Sequence, residues 1–352
     1  MKETIGSEKN PISDFSVAIP TKNRAEVLKR LLNSLLKQTV LPKEVLVVDD
    51  STNEQTKSLV ESLTSKFSEK GVQIGYVRGK GQSVTEARNR GIAFTTGRIH
   101  CSLDDDVVLY PDYVQEILKV FAEHPNAVGV AGHVVNVSKA SPHQNAIARL
   151  FPSFFVESNR ARVLPTGISY PYPLTRIING EWLNGSNCSY RREVLKQFRW
   201  DEKLMRYSLC DDMDFSLRVQ KAYPKSLLIT PSARVIHEHS QVARISSEYL
   251  THMSISYHAY FFFKNMKLSA WNTFNFVYGL FFGRLATSIL SRDGKWVIFT
   301  IKAEYNFLKN ARDIKQGTFS SFEARLNSSC SLKTARQTKS QTNLNFARAR
   351  SI

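Results

Sequence analysis

The sequence predicts an α/β protein built on a mainly parallel sheet. Three observations carry this reading. Apolar runs alternate with stretches of helical spacing through residues 14–135. One of them, EVLVVDD (44–50), is almost continuously apolar, as in strands covered on both faces. Two of the proposed strands close in carboxylates, where open parallel sheets place their ligands.

The elements follow in order. SVAIP (16–20) is the first strand. Val27, Leu28, Leu31, Leu32, Leu35 and Leu36 then fall on one helical face, with Asn23 as the expected N-cap. After the 44–50 strand come a helix at 54–67, a strand at 72–77, a helix at 83–94 and the strand RIHCSL (98–103). Pro111 is expected to start another helix, and AVGVAGHVV (127–135) reads as a strand. Residues 140–192 are rich in Pro, Gly, Asn and aromatic residues and read as long loops. Helices near 192–198 and 211–222 and two strands, 227–229 and 233–237, complete this part. Beyond Gln241 the chain turns helical and aromatic, and after about Ala311 it is rich in Ser, Thr, Gln and Arg. The expected division is a flexible arm (1–13), a catalytic domain (14–240), a helical aromatic extension (241–311) and a basic disordered tail (312–352).

Of the 352 residues, 42% are hydrophobic and 22% charged, which excludes a disordered chain, a collagen and a coiled-coil rod. Four scattered cysteines and no Cys-x-x-Cys pair exclude a disulfide scaffold and a zinc site of that spacing. The polar N-terminus lacks an apolar h-region, so a cytoplasmic location is expected. Residues 244–352 hold 16 Lys/Arg against 5 Asp/Glu, so +11 of the net +17 lies there. Such asymmetry suits an anionic partner or a solubilising tail.

Chemistry is concentrated in three acidic groups. Asp49/Asp50 and Asp104/Asp105/Asp106 follow apolar runs, and adjacent like charges repel unless a hard divalent cation such as Mg²⁺ or Mn²⁺ relieves them. A solvated acidic turn is the plainer alternative. In CDDMDF (210–215), Asp211 and Asp214 share a helical face at i, i+3, while Asp212 points elsewhere. A carboxylate there suits a general base, or merely complements the helix dipole. His237 and His239 follow a strand-like run, and either could be a ligand or a structural residue.

IPTKNR (19–24), VLVVDDST (45–52), QSVTEARNRGI (82–92), SLDDDVVLYPDYV (102–114), NGSNCSYRREVL (184–195), CDDMDFSLR (210–218) and RVIHEHS (234–240) occur in this order. Together they resemble a family 2 glycosyltransferase of the GT-A fold, a Rossmann-like mixed sheet, over about residues 14–240. The resemblance implies a nucleotide-sugar donor, most commonly a UDP-sugar, a divalent metal (Mn²⁺ or Mg²⁺) and inversion at the anomeric carbon. It implies that Pro20, Thr21, Asn23 and Arg24 line the nucleotide pocket, with Asp50 and Asp49 at the base and Arg88 and Asn89 near base and ribose. Asp104 and Asp106 match the ends of the D-x-D motif, with Asp106 first for metal and Asp105 near the ribose. Asp212 matches the second acid of the family's Glu-Asp pair, the base. Its neighbour here is Asp211 instead of the commoner Glu. His237 fits the late histidine that reaches metal or diphosphate, with His239 close behind. Trp182, Asn184 and Gly185 are weaker candidates for contact with a saccharide or lipid-linked acceptor, in assembly of a polysaccharide or glycolipid.

A sugar nucleotidyltransferase is one rival, but it usually carries a Gly-rich basic loop where this chain has IPTKNR. A non-catalytic membrane- or nucleic-acid-binding protein on a degenerate scaffold is another. The intact acids argue against it, and no nucleic-acid motif appears, so no nucleic-acid partner is expected. In the extension, Phe274, Val277, Tyr278, Phe281, Leu285 and Ile289 form one helical stripe widened by Phe276, Leu280 and Phe282. The stretch is too short to span a bilayer and contains Arg284. It reads either as core packing or as an interfacial helix, peripheral on the inner face of the membrane. In the second case Lys264, Lys267, Arg284, Arg292 and Lys295 would meet anionic lipid.

Overall fold

The computed structural model describes residues 10–136, 161–163, 174–242, 245–290 and 294–319. Strand β1 (Ile12–Thr21) lies at the centre of a parallel half-sheet with β2 (Leu41–Asp49), β3 (Gln73–Arg78) and β4 (Ile99–Leu103). Helices α1 (Ala25–Leu35), α2 (Gln55–Glu69) and α3 (Val84–Phe94) make the crossovers. Phe15, Val17 and Ile19 of β1 and Val45 and Val47 of β2 meet Leu28, Leu31, Leu32 and Leu35 of α1 in one core. Covering on both faces is why these strands read as apolar runs.

The second half of the sheet is mixed. The order is β3-β2-β1-β4-β8-β6-β9-β5, where β5 is Val107–Leu109, β6 Gly129–Val134, β8 Asn187–Arg191 and β9 Leu227–His237; β7 (Ile178–Asn179) pairs with β9. Strand β8 runs antiparallel to both β4 and β6. It falls inside the stretch read as loops, which corrects that expectation. The sequence NCSYR shows no apolar run because Asn187, Ser189 and Tyr190 are buried despite their polar groups, two of which are partnered. Asn187 Oδ1 accepts from the Gly132 N–H at 2.7 Å, and Tyr190 Oη and Ser216 Oγ lie 3.0 Å apart.

Three smaller corrections have local causes. Asn23 does not cap α1. It sits one residue earlier with φ +56°, a conformation Asn tolerates, and its Oδ1 accepts from the Thr52 N–H. Helix α4 (Tyr113–Glu123) begins two residues after Pro111. The two strands expected at 227–229 and 233–237 are the single strand β9, whose pairing with β6 shifts register between Ala131 and His133. Pro231, which has no N–H to donate, lies at that irregularity.

After α5 (Arg192–Gln197) and α6 (Asp211–Ala222), the chain enters the extension: α7 (Ser247–Asn265), α8 (Ala270–Val277), a π-helical turn (Tyr278–Gly283), α9 (Arg284–Leu290), α10 (Gly294–Lys309) and α11 (Ala311–Gln316). Its core includes Tyr257, Phe262, Phe276, Leu280 and Phe307, and it reaches Leu204 from before α6. Asp214, buried on α6, accepts from Arg218, Lys264 and Asn265 and so ties α6 to α7. Lys264 is therefore committed to Asp214 and Asp201 instead of facing lipid. Arg284 is also turned inward, onto Ser254 Oγ at 2.7 Å. Phe276 and Leu280 are the packing side, whereas Phe274, Val277, Phe282 and Ile289 are exposed. The expected arm lies outside the described residues up to residue 9, and its end, Ile12–Ser13, is strand. Arg292 and residues 320–352 of the expected tail lie outside the described residues.

Candidate active site

A cavity of about 870 Å³ opens beyond the carboxyl ends of β1 and β4. The sheet positions its acids. β4 ends at Leu103, and β5 turns back to pair with β9 so that Val107 faces His237. The Glu238 N–H then donates to the Asp106 carbonyl at 2.9 Å. This pairing brings His237 Nε2 to 2.9 Å from Asp106 Oδ1, while the Ser240 N–H donates to Asp106 Oδ2 at 3.0 Å. Burial pushes the Asp106 carboxyl up, but His237, Arg24 and the Ser240 N–H outweigh it and hold it below its ordinary value.

Asp105 is buried. It accepts from Thr21 Oγ1 at 2.7 Å and from Arg24 Nη1 at 3.0 Å. Burial raises it to about 6 against the pull of Arg24 and Thr21. Arg24 also donates to Tyr207 Oη and to the Val242 carbonyl, spanning the cavity mouth. Asp50 lines the cavity and accepts from the Gly81 N–H at 2.8 Å. A Cβ at Gly79 would lie 2.0 Å from Asp50 Oδ1, so a side chain there would displace that carboxylate.

Arg88, on α3, is buried beneath the acids. It donates to Asp104 Oδ1 at 3.0 Å, to the Gly185 carbonyl at 3.0 Å and to Asp211 Oδ2. Burial works against its charge, but Asp211 and Asp104 outweigh it and keep the guanidinium firmly protonated. Asp212 is half-buried, and its Oδ2 accepts from the Gly185 N–H at 3.0 Å. Burial raises both Asp211 and Asp212, with Arg88 opposing in each case. A Cβ on Gly185 would lie 2.9 Å from Arg88 Nη2, which is why this crossing takes a glycine. Cys210, with φ +72°, turns the chain into α6 and delivers the acid pair to the cavity wall.

Of the expected site residues, Pro20, Thr21, Arg24, Asp50, Arg88, Asp104, Asp105, Asp106, Asn184, Gly185, Asp211, Asp212 and His237 line this one cavity. Others face elsewhere. Asp49 is fully buried against Tyr76 and Arg78. Asn89 is bound to the Trp200 backbone and Glu202, and Asn23 to Thr52. Trp182 packs in the core around Phe215 and Cys210. His239 stacks on His237 with ring centroids 4.0 Å apart but is outside the acid cluster. The cavity also takes in Gln82, Met205, Arg206, Tyr207 and Ile245, which the sequence reading missed. Gln82 opens the QSVTEARNRGI motif and Arg206-Tyr207 stand just before the acids, whereas Met205 and Ile245 carried no signal.

One oxygen each from Asp104 and Asp106 and a ring nitrogen of His237 lie within 4.8 Å of one another. Two carboxylates and an imidazole on a cavity wall suit a small divalent cation such as Mn²⁺ or Mg²⁺.

Residues 16–198, just over half of the chain, match the family model for glycosyl transferase family 2. The chain belongs to this family. Asp211, Asp212 and His237 lie beyond the matched residues. An uncharacterized glycosyltransferase of Nostoc sp. is 30% identical over 183 residues, 52% of this chain and 52% of that protein. A validoxylamine A glucosyltransferase of Streptomyces hygroscopicus is 34% identical over 133 residues, 37% of this chain and 28% of that one. The matched region thus spans about half or less of these relatives. Among solved structures, the mannosyltransferase PcManGT of Pyrobaculum calidifontis, in complex with GDP-Man and Mn²⁺, superposes with TM-score 0.51 at 14% identity, covering 84% of this chain and 75% of that one. TarS 1-349 of S. aureus, in complex with UDP-GlcNAc, gives TM-score 0.50 at 19% identity, covering 89% and 92%. The family 2 chain has the GT-A fold, a mixed sheet with a helical C-terminal part.

Proposed function

We propose that this chain transfers a sugar from a nucleotide-diphospho-sugar to an acceptor hydroxyl, with inversion, in one metal-assisted displacement. The observation that supports this best is the shared cavity. It holds Asp104, Asp106 and His237 on one wall and Asp212 on another. Asp104, Asp106 and His237 would hold the divalent cation that neutralises the departing diphosphate. Thr21, Arg24, Asp50 and Asp105 would take the nucleoside. Asp212 would accept the proton of the acceptor hydroxyl. The hydroxyl oxygen then bonds to the anomeric carbon from the face opposite the leaving group. The old carbon–oxygen bond breaks, and its electron pair leaves with the nucleoside diphosphate. Arg88 holds Asp211 and Asp104 in place, so we assign Asp211 to positioning alongside Asp212. The acceptor would be a saccharide or lipid-linked hydroxyl.

The test is a titration of UDP-, GDP- and dTDP-sugars with and without Mn²⁺, reading released nucleoside diphosphate and the anomer formed. One donor class should be consumed, faster with Mn²⁺, to give the inverted anomer. Release of pyrophosphate from a nucleoside triphosphate and sugar phosphate would instead mark a nucleotidyltransferase. Absence of any nucleotide binding would mark a degenerate scaffold.

A further inference from the structure

The helices after Met266 expose more apolar surface than packing within this chain uses. Trp271, Phe274 and Phe282 are 69%, 57% and 58% exposed. Their rings form a continuous ladder: Trp271 on Phe274 at 6.0 Å, Phe274 on Tyr278 at 5.7 Å, and Tyr278 on Phe282 at 6.1 Å. The π-helical turn at Tyr278–Gly283 lies within this ladder. On α10, Ile298, Ile301, Tyr305 and Leu308 repeat at spacings of three and four and are all more than half exposed. The opposite sides of these helices are fully used: Phe276 stacks on Phe262, and Phe307 meets Phe281.

The exposed charges of these helices have one sign, with Lys302 paired to the half-buried Glu248. Among the described residues from 266 to 319, the exposed charged residues are Lys267, Lys295, Lys302, Lys309, Arg312 and Lys315. In the sequence, residues 320–352, outside the described residues, carry six Lys/Arg against one Glu. Two such surfaces would repel each other, so a second copy of this chain is a poor occupant. No helix among the described residues is long and apolar enough to cross a membrane. Exposed Trp and Tyr rings beside cations, without a span, are the features of a surface that sits in the headgroup zone of an anionic bilayer.

We propose that the aromatic ladder of α8–α9 and the apolar face of α10 dock on a bilayer carrying anionic lipid. The surface differs from the stripe read in the sequence. It gains Trp271 and α10, and it loses Arg284, which is turned inside, and Lys264, whose ammonium is held by Asp201 and Asp214. The proposal is independent of the transfer reaction, because binding is read without turnover.

The full chain would be sedimented with phosphatidylcholine vesicles with and without phosphatidylglycerol, while tryptophan emission is recorded. Trp200 is buried and Trp182 half-buried, so a blue shift reports Trp271 and Trp296. The chain should bind the anionic vesicles with a blue shift, and more weakly at high salt. A Trp271→Glu, Phe282→Glu variant should partition at least about tenfold less. Both side chains are exposed, so its thermal melting should match the parent. Failure to bind anionic vesicles, or equal binding by the variant, overturns the proposal. So does self-association that the variant abolishes, which would make a second copy the occupant.

Discussion

The carboxylates of Asp104 and Asp211 are joined through a single buried guanidinium: Arg88 donates to both. One acid comes from the end of β4 and the other from the first turn of α6, so Arg88 sets the spacing between the two walls of the cavity. It also lowers the pKa values of Asp211 and Asp212, which burial raises.

Removing that charge has a definite sign. In Arg88→Gln the acids lose the group that favours their ionised forms. The acid limb of kcat/KM should therefore move to higher pH, and the rate at neutral pH should fall. Arg88→Lys should restore part of the limb position. The check is a pH–rate profile of the three proteins; an unmoved limb in Arg88→Gln would separate Arg88 from the acids' titration.

Asp212→Asn should lower transfer by roughly 10²–10⁴-fold, the usual worth of a general base, while donor affinity stays nearly unchanged. Calorimetric donor binding beside a transfer assay measures both. If Asp211→Asn proves the more damaging in transfer while retaining the parent melting temperature, the base is Asp211.

Asp106→Asn replaces a carboxylate by a neutral amide in the Asp104–Asp106–His237 cluster. Mn²⁺ should raise the melting temperature of the parent and leave that of the variant nearly unmoved. Transfer should fall with it, and excess chelator should reproduce the loss in the parent.

Asp214 is a structural acid. It is buried and bound to Arg218, Lys264 and Asn265. Asp214→Ala leaves those donors without their shared acceptor, and unfolding in urea should show a loss of roughly 3 kcal/mol. Donor binding measured well below the melting temperature should persist, in contrast with substitutions inside the cavity.

How much of this was legible before folding depends on what each residue answers to. The parallel half-sheet was legible because β1, β2 and β4 are buried on both faces and carry unbroken apolar runs, and α1 carries a clean helical stripe. Strand β8 was hidden because Asn187 and Ser189 are polar yet buried, and for Asn187 the bond from the Gly132 N–H across the sheet permits it.

The sequence by itself determined the α/β order, the acids at the strand ends and the acid pair at the start of α6, since local periodicity and turn chemistry act over a few residues. Tertiary structure alone decided that His237 and not His239 meets Asp106, because the β5–β9 register sets which residue faces the cluster. It likewise turned Arg284 inward onto Ser254, tied the Lys264 ammonium to Asp201 and Asp214, and left Trp271 and Phe282 outside. A side chain's face is chosen by what packs opposite it, and that choice is made by residues distant in the chain.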